Sequence, residues 1–384
     1  MMKINNVFIA YTSGYPVKFG AANTKAEFLA KGLILHGHHV TFVNRFYGSD
    51  NVLMSDGEKD GISFVSFPNK KNKLITLIAN FNKLRVYLKS IYKPNCKNVV
   101  YVGGGDFLLT VIMIFVAKAS HYKVAFIFEE WMAGMDLPLI KKLSSYMHSH
   151  YLGYLCDYIL PISEYLIEQS GRFKKPLLKV PVCADFSTQP VKIDLTEKPY
   201  LLYCAGVGYQ KALDFVIDTF CKLNTNYKNV DLHLILSGDS SLIQSYKYKI
   251  ANLPNCNNIF VFEKLPYSQL WFEYRHARAL LIPLFTDKIT DIARFSQKIA
   301  EYLSSGRPVI STEVGEIKHY FCDKSNMLIS APNDIDGFVE CMTYTITNAI
   351  KVEEIGLNGY LFGRDNFDFR VVSKKLSEFL LLEN

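Results

Sequence analysis

The sequence predicts an α/β protein with two doubly wound parallel-sheet domains. Short apolar strand-type segments alternate with helix-type segments along the whole chain, which is typical of parallel sheets covered by helices. The 384 residues exceed one ordinary core and suit two domains. Hydrophobic residues make up 49% of the chain and charged residues 21%, which indicates a folded globular protein rather than a disordered one.

The first series of elements predicts a domain over residues 1–185. Its strands are expected at 6–12, 39–44, 62–67, 98–102, 123–128 and 157–162. Its helices are expected at 22–36, 72–92, 107–120, 138–155 and 163–170.

A second series predicts a domain over residues 186–369, after a linker that contains Pro181, Pro190 and Pro199. Its strands are expected at 200–205, 231–236, 258–262, 279–284, 308–311 and 326–329, with helices between them. The chain then ends in helix-type segments at 334–348 and 370–382.

The composition excludes several classes of protein. Eight cysteines, none in a C-x-x-C pair, indicate neither a zinc site nor a disulfide framework and favour reduced thiols. The longest apolar run, 107–117, is too short to span a bilayer, and the first residues lack the apolar core of a signal peptide. We therefore expect a cytoplasmic protein. The net charge of +7 favours anionic partners but selects none.

Residues 295–312 combine a short predicted helix with a following strand. Lys298 and Glu301 are three residues apart and share one helix face. Gly306 is expected to close the helix in a left-handed conformation, and Pro308 blocks its continuation. An ammonium group binds phosphate and a carboxylate accepts from sugar hydroxyls, so the pair suits a ligand that has both. The alternative is an amphipathic helix with a surface ion pair.

This stretch resembles the signature of retaining glycosyltransferases of the GT-B fold, the glycosyl transferases group 1. Their pattern F-P-x-K-x-x-E-Y-L-A-x-G-x-P-V-I is matched at Phe295, Lys298, Glu301, Tyr302, Leu303, Gly306, Pro308, Val309 and Ile310. The Gly-Glu pair that often follows is present as Gly315 and Glu316. Ser296 replaces the usual proline, and Ala293 stands where many relatives have a first glutamate.

The resemblance covers nearly the whole chain. Gly14–Val43 resembles the family's glycine loop, first helix and second strand, and Lys179–Asp185 resembles its interdomain segment. The implied architecture is GT-B, in which two Rossmann-like domains face each other across a cleft. The resemblance implies that residues 1–185 bind the acceptor and residues 186–369 bind the nucleotide sugar. It also implies that a helix over 370–384 returns to the N-terminal domain.

Residues 203–213, YCAGVGYQKAL, contain a Gly206-x-Gly208 pair after the first strand of the second domain. Lys211 stands in place of the third glycine of a G-x-G-x-x-G motif, so a nicotinamide enzyme is not favoured. The resemblance implies that Gly206 contacts the donor and that Lys211 clamps its diphosphate at a helix start, where the helix also attracts anions. Val207 stands where relatives commonly have arginine. The alternative for Lys211 is an exposed turn lysine.

Three sites in the first domain are candidates for ligand contact. Gly20 and Ala21 lie at a predicted helix start, where backbone N–H groups bind phosphate, although a plain βα turn explains them nearly as well. Asp106 follows three glycines at a strand end and is either a helix N-cap or a polar group on the acceptor side.

Glu129, Glu130 and Trp131 end the strand at 123–128, on the side that the resemblance turns toward the acceptor. A carboxylate beside the tryptophan is a candidate base for the acceptor hydroxyl. The alternative is that one of the glutamates caps the next element.

No metal site is expected. Asp334 and Asp336 match a D-x-D pattern superficially, but their place before a helix favours capping. His148 and His150 are two residues apart and point away from each other on a helix.

Residues 61–105 contain no acidic residue and eight basic ones: Lys70, Lys71, Lys73, Lys83, Arg85, Lys89, Lys93 and Lys97. Apolar residues are interleaved at helical spacing. The stretch predicts a basic amphipathic helix that contacts an anionic membrane through 70–97. The alternative is a solvated basic face on a core-packed helix.

The function implied by the resemblance is metal-independent, retaining transfer of a sugar from a nucleoside-diphosphate donor, with no cofactor and no nucleic-acid partner. Lys211 would stabilise the leaving diphosphate, Glu301 would hold the ribose hydroxyls, and Lys298 would support the phosphates or the sugar. Bacterial relatives often build surface polysaccharides on glycan or lipid-linked acceptors at the inner face of the plasma membrane. Two alternatives stay open: a GT-B nucleotide-sugar 2-epimerase and a non-catalytic GT-B scaffold.

Overall fold

The computed structural model describes residues 2–9, 15–16, 21–44, 56–67, 73–104, 106–135, 137–191, 198–253 and 258–383. The chain divides into two compact units. Unit 1 comprises Met1–Ala184, Lys288–Gln297 and Phe367–Asn384, and unit 2 comprises Asp185–Asp287 and Lys298–Asn366.

The α-helices of the described residues are numbered in chain order. They are α1 (Ala21–Leu35), α2 (Lys73–Ser90), α3 (Phe107–Lys118), α4 (Leu139–Tyr151), α5 (Glu164–Ser170), α6 (Gln210–Asn224), α7 (Ser240–Ala251), α8 (Tyr267–His276), α9 (Ile289–Ala293), α10 (Gln297–Ser304), α11 (Ile317–Tyr320), α12 (Ile335–Thr347), α13 (Ala349–Phe367) and α14 (Phe369–Leu382). Single 3₁₀ turns occur at Met132–Gly134, Leu152–Leu155 and Gly171–Phe173.

Unit 1 contains one seven-stranded sheet. Its strands are β1 (Lys3–Ile9), β2 (His39–Val43), β3 (Asp56–Lys59), β4 (Ile62–Val65), β5 (Cys96–Gly103), β6 (Lys123–Phe128) and β7 (Tyr158–Pro161). Their order is β3-β4-β2-β1-β5-β6-β7, and every pair is parallel except β3 with β4. The sequence analysis missed β3 because its DGEK sequence is polar and lacks the alternation of a half-buried strand.

Unit 2 contains a six-stranded sheet that is parallel throughout. Its strands are β8 (Tyr200–Gly206), β9 (Asp231–Ser237), β10 (Ile259–Glu263), β11 (Ala279–Ile282), β12 (Val309–Thr312) and β13 (Leu328–Ser330). Their order is β10-β9-β8-β11-β12-β13, a doubly wound arrangement whose direction of winding reverses between β8 and β11. In such sheets ligands bind outside the carboxyl ends of the strands at this reversal. The predicted α/β class is confirmed by both sheets.

Two segments from later in the chain pack onto unit 1. Helix α14 lies against α1 so closely that a Cβ added to Gly32 would lie 2.0 Å from Ser373 Oγ. Residues 288–297, which the sequence analysis assigned to the second domain, are joined to unit 1 by a hydrogen bond from Ser163 Oγ to the Ala293 carbonyl at 2.5 Å. This pairing between residues far apart in sequence leaves no local pattern.

Three predictions about helix ends are confirmed. Gly306 has a φ of +78°, and a Cβ there would approach Pro190 Cβ to 2.4 Å. Glycine is therefore required both for the left-handed conformation and for the lack of space. Asp106 caps α3 by accepting from Leu109 N at 3.2 Å. Asp334 caps α12 by accepting from Gly337 N at 2.9 Å.

Candidate functional site

The carboxyl ends of β8 and β11 in unit 2 bring together most of the sequence-predicted donor residues. Strand β8 ends at Gly206 and leads through a short turn into α6, whose first turn contains Lys211. The segment that follows β11 carries Phe285 and Asp287 next to Lys211. The site therefore lies where the winding of the sheet reverses, the place at which parallel sheets bind ligands.

The turn between β8 and α6 leaves its backbone accessible. A Cβ added to Gly208 would meet nothing within 4 Å, and one added to Gly206 would come no closer than 3.8 Å to any atom. Tyr209 occupies the N-cap position of α6 but makes no side-chain capping hydrogen bond. The first-turn amide groups of α6 are thus not covered by a side-chain cap, and helix N-termini of this kind bind anions.

Lys211 is positioned by two residues of the segment after β11. Its ammonium nitrogen lies 4.2 Å from the ring centroid of Phe285 and forms an ion pair with Asp287. Both charged side chains are about half exposed. Exposed pairs of this kind contribute only about 0–1 kcal/mol, so an incoming diphosphate can compete with Asp287 for the lysine.

Lys298 lies on α10 between a sulfur atom and a carboxylate. Its Nζ is 3.4 Å from Cys204 Sγ and 4.0 Å from Glu301 Oε2. Burial opposes the charged form of Lys298, but the interactions with Cys204 and Glu301 outweigh this effect, and the pKa of Lys298 is raised. The ammonium group therefore stays charged at neutral pH beside the partly exposed carboxylate of Glu301.

Tyr302 fixes α10 against β8. Its buried hydroxyl accepts a hydrogen bond from Cys204 N at 3.1 Å, and its ring packs edge to face on Tyr274. Burial, followed by the interaction with Cys204, raises the pKa of Tyr302 well above its usual value, so the hydroxyl stays protonated. The neighbouring Lys298 and Glu301 are thereby held near the end of β8.

The two carboxylates predicted for the acceptor side lie in unit 1, after β6. Glu129 forms an ion pair with Lys25 of α1 at 2.6 Å, and the same ammonium donates to the Val180 carbonyl at 3.1 Å. Glu130 is exposed. The following 3₁₀ turn has Trp131 at its N-cap, and the Trp131 side chain makes no capping hydrogen bond. The role of either glutamate as a catalytic base, like the capping alternative, stays a prediction.

Trp131 is buried in an aromatic cluster of unit 1. Its ring packs edge to face on His150 and Tyr165, with centroid distances of 5.0 and 5.7 Å. The Arg172 guanidinium lies 5.6 Å from the same ring. These contacts account for the tryptophan within the fold, and its acceptor contact stays a prediction.

The remaining predicted contacts are placed as follows. Gly20 lies outside the described residues, and Ala21 is the first residue of α1. Asp106 is exposed and serves as the cap of α3, as the capping alternative predicted. Its contact with an acceptor stays a prediction.

The structure also shows what occupies the two positions at which the sequence departs from the family pattern. Val207 is buried in the core of unit 2, and its backbone N–H donates to the Ser237 carbonyl at 2.8 Å. Because its side chain is apolar, it makes no polar contact. Ala293 is fully buried in unit 1 at the end of α9.

Sequence reasoning missed three polar partners: Asp287 for Lys211, Cys204 for Lys298 and Lys25 for Glu129. Each lies 76 or more residues from its partner, so no local spacing could have identified the pairs. The one available signal was Lys25, which lies on the inner face of α1. A buried lysine is nearly always paired, so its position indicated a carboxylate partner.

The described residues contain no group of three or more His, Cys, Asp or Glu side chains that could hold a metal ion. Within the same residues, no helix is both long enough and apolar enough to cross a membrane.

Comparison with known proteins gives the following likenesses. Residues 185–362 match the family described as Glycosyl transferases group 1. Sucrose-phosphate synthase from Thermosynechococcus elongatus has a TM-score of 0.78 at 12% identity over 98% of each chain. Anabaena Alr3699/HepE in complex with UDP and glucose has a TM-score of 0.74 at 14% identity, over 99% of this chain and 100% of that one.

An α,α-trehalose-phosphate synthase (UDP-forming) from Burkholderia vietnamiensis has a TM-score of 0.69 at 9% identity, over 99% of this chain and 97% of that one. A search of curated protein sequences gave no match. The structural likenesses show the GT-B fold, as the sequence predicted.

Proposed function

We propose that this protein, which has the GT-B fold, is a glycosyltransferase of the glycosyl transferases group 1, the family that residues 185–362 match, and that it transfers a sugar from a nucleoside-diphosphate donor with retention of configuration. The proposed acceptor is a glycan or a lipid-linked glycan of surface polysaccharide synthesis. One observation supports the donor assignment above all: two ammonium groups and one carboxylate, Lys211, Lys298 and Glu301, lie around the end of β8.

The proposed donor contacts follow from the charges of these groups. Lys211 exchanges Asp287 for the diphosphate, which also approaches the first-turn amides of α6. Lys298, protonated and held beside Cys204, supports the phosphates or the sugar. Glu301 accepts hydrogen bonds from the ribose hydroxyls, which a carboxylate binds better than a neutral amide does.

The proposed rate enhancement is electrostatic. As the bond between sugar and diphosphate breaks, negative charge grows on the leaving phosphate oxygens. Fixed cations and N–H groups at that position stabilise the transition state more than the ground state. The departing diphosphate itself helps to deprotonate the acceptor in a front-face transfer. Glu129 and Glu130 are the proposed acceptor-side bases.

We also propose that the reaction needs no metal ion, because the two lysines and the α6 amides supply the positive charge. Activity should then persist when EDTA is added to the assay. Loss of activity with EDTA, and its recovery with Mg²⁺ or Mn²⁺, would contradict this part of the proposal.

The donor is best identified by a thermal-shift screen of UDP, GDP, ADP and their sugars. A ligand that binds only the folded state raises the melting temperature. UDP is the first nucleotide to test, because the HepE structures were solved with UDP and UDP-glucose. If none of the nucleotides stabilises the protein, the donor assignment is wrong.

Product analysis without acceptor separates transfer from epimerisation. A transferase consumes the nucleotide sugar only when an acceptor is present, apart from slow hydrolysis. A 2-epimerase converts it with no acceptor at all, and that outcome would replace the proposed reaction.

We propose that the protein acts at the membrane surface, on the inner face of the plasma membrane. In α2, the exposed basic residues Lys83, Arg85 and Lys89 lie opposite the buried Phe81 and Leu84. Lys70 and Lys71 lie outside the described residues. Over residues 80–90, where its side chains are described, α2 therefore offers a membrane three cations and one large exposed apolar side chain, Val86.

A further inference from the structure

Helix α4 has the reverse of the usual polarity of a surface helix. Its side chains at Leu139, Ile140 and Leu143 are 83%, 85% and 63% exposed. The residues that it buries are Ser145, His148 and Ser149. A surface helix of a globular protein normally turns its apolar stripe to the core and its polar face to water. The outer face of α4 is therefore built for surroundings other than water.

The buried polar residues show that this orientation is fixed by the fold. Ser149 Oγ accepts a hydrogen bond from Ala133 N at 3.0 Å. His148 packs edge to face on Phe126 with ring centroids 5.3 Å apart, and burial lowers its pKa to about 4. The neutral imidazole is thus accommodated inside unit 1, and α4 cannot rotate its leucines inward without exposing this packing.

The apolar surface extends from α4 onto the start of α3. Phe107 N donates to Ser144 Oγ at 3.0 Å, which brings the first turn of α3 beside α4. The adjacent Leu108 is 64% exposed. Tyr146, one turn after Leu143, is also exposed. We call these residues the α4 face: Leu108, Leu139, Ile140, Leu143 and Tyr146.

The charges around the α4 face select its partner. Lys141 and Lys142 are exposed on the first turn of α4, next to this face, and α4 contains no acidic residue. Asp106, which lies close to Ser144, is engaged as the cap of α3. Apolar side chains flanked by two lysines, with a tyrosine nearby, suit an anionic lipid surface.

We propose that the α4 face docks this protein on anionic lipid bilayers. Leu139, Ile140 and Leu143 enter the boundary between head groups and acyl chains, and Lys141 and Lys142 contact the lipid phosphates. This differs from the α2 surface, whose apolar residues Phe81 and Leu84 are already buried. The inference does not depend on the transferase reaction, since the α4 face lies on unit 1 and its test uses no substrate.

The test is co-sedimentation of the full chain with vesicles of phosphatidylglycerol and phosphatidylcholine, or of phosphatidylcholine alone. The wild type is expected to bind the anionic vesicles and to bind the neutral ones much more weakly. The double variant Ile140→Ser, Leu143→Ser should bind about tenfold more weakly or worse, because two inserted side chains are lost. Lys141→Gln and Lys142→Gln should each cost about fivefold at low salt.

Ile350→Ser is the matched control. Ile350 is 83% exposed on α13 of unit 2, as exposed as Ile140, and its replacement should leave vesicle binding unchanged. Lys83→Gln with Arg85→Gln tests the α2 surface, and is expected to weaken binding less than the α4 double variant does.

The proposal is overturned if the wild type does not bind anionic vesicles, or if the α4 double variant binds as the wild type does. It is also overturned if sedimentation velocity shows that two copies of the chain associate through the α4 face and the protein does not bind the vesicles. Ile140→Trp guards against misfolding, because it keeps an apolar side chain. After subtraction of the wild-type emission, which comes from Trp131 and Trp271, the emission of the new tryptophan should shift to the blue with anionic vesicles, and no shift would contradict docking.

Discussion

The two sheets place their charged side chains at corresponding carboxyl edges but hold them differently. In unit 1 the Lys25–Glu129 pair has side chains that are 4% and 20% exposed, and Lys25 also donates to a backbone carbonyl. In unit 2 the Lys211–Asp287 pair is 52% and 47% exposed. A buried pair is costly to break, whereas an exposed pair exchanges readily. The comparison indicates that unit 2 has the cations available to a ligand.

The largest effect should come from breaking the buried pair. Lys25→Met leaves the Glu129 carboxylate beside an apolar side chain, and we expect the free energy of unfolding to fall by about 3 kcal/mol. Urea unfolding at pH 7 measures this. Lys211→Ala is the matched variant at the exposed pair and should change stability by about 1 kcal/mol or less. Equal losses in the two variants would remove the distinction between the pairs.

A second buried group of unit 1, His148, should make the free energy of unfolding depend on pH. His148 of unit 1 has its pKa lowered to about 4 by burial, below its ordinary value of 6.5. The unfolded chain therefore takes up the proton first as pH falls. The stability present above pH 6.5 should decline between pH 6.5 and 4, by roughly 3 kcal/mol.

Urea unfolding at pH 7 and pH 4.5 measures this decline. His148→Leu should reduce it, and His319→Leu, at an exposed position of unit 2, is the control. An unchanged pH dependence in His148→Leu would show that the histidine is not the group responsible.

We expect the exposed Lys211 to contribute to catalysis, whereas the buried Lys25 contributes to folding stability. We expect Lys211→Ala to lower kcat roughly a hundredfold, as loss of one transition-state donor does, with a smaller effect on donor affinity. Lys222→Ala is a close control, since Lys222 lies on the same helix, is equally exposed and pairs with Asp336. Near-normal turnover in Lys211→Ala would make Lys211 an ordinary surface lysine.

The sequence predicted the fold better than it predicted the site. Both doubly wound sheets follow from strands that are apolar along their length, such as β7 and β11. Gly306 and Asp334 were identified because turn and cap chemistry is local. Strand β3 was missed because it is polar, and the outward leucines of α4 were missed because periodicity finds an apolar face without showing which way it points.

Side-chain partners distant in sequence were beyond prediction for the same reason. Lys211 and Asp287 meet only because β8 and β11 are neighbours in the sheet, and Lys298 meets Cys204 only once α10 packs on β8. Such contacts depend on the assembled sheet and leave no spacing in the chain.

The most direct test of the central claim, that unit 2 binds a nucleoside diphosphate through Glu301, is calorimetric titration of wild type and Glu301→Gln. Each is titrated with the nucleoside diphosphate that stabilises the protein most and with its 2′,3′-dideoxy form. The wild type should bind the ribose form about tenfold more tightly or better, since hydrogen bonds to a charged group contribute about 1.5–3 kcal/mol. Glu301→Gln should bind both forms with nearly equal affinity. A variant that still prefers the ribose form as strongly as the wild type would place the ribose elsewhere and contradict the account.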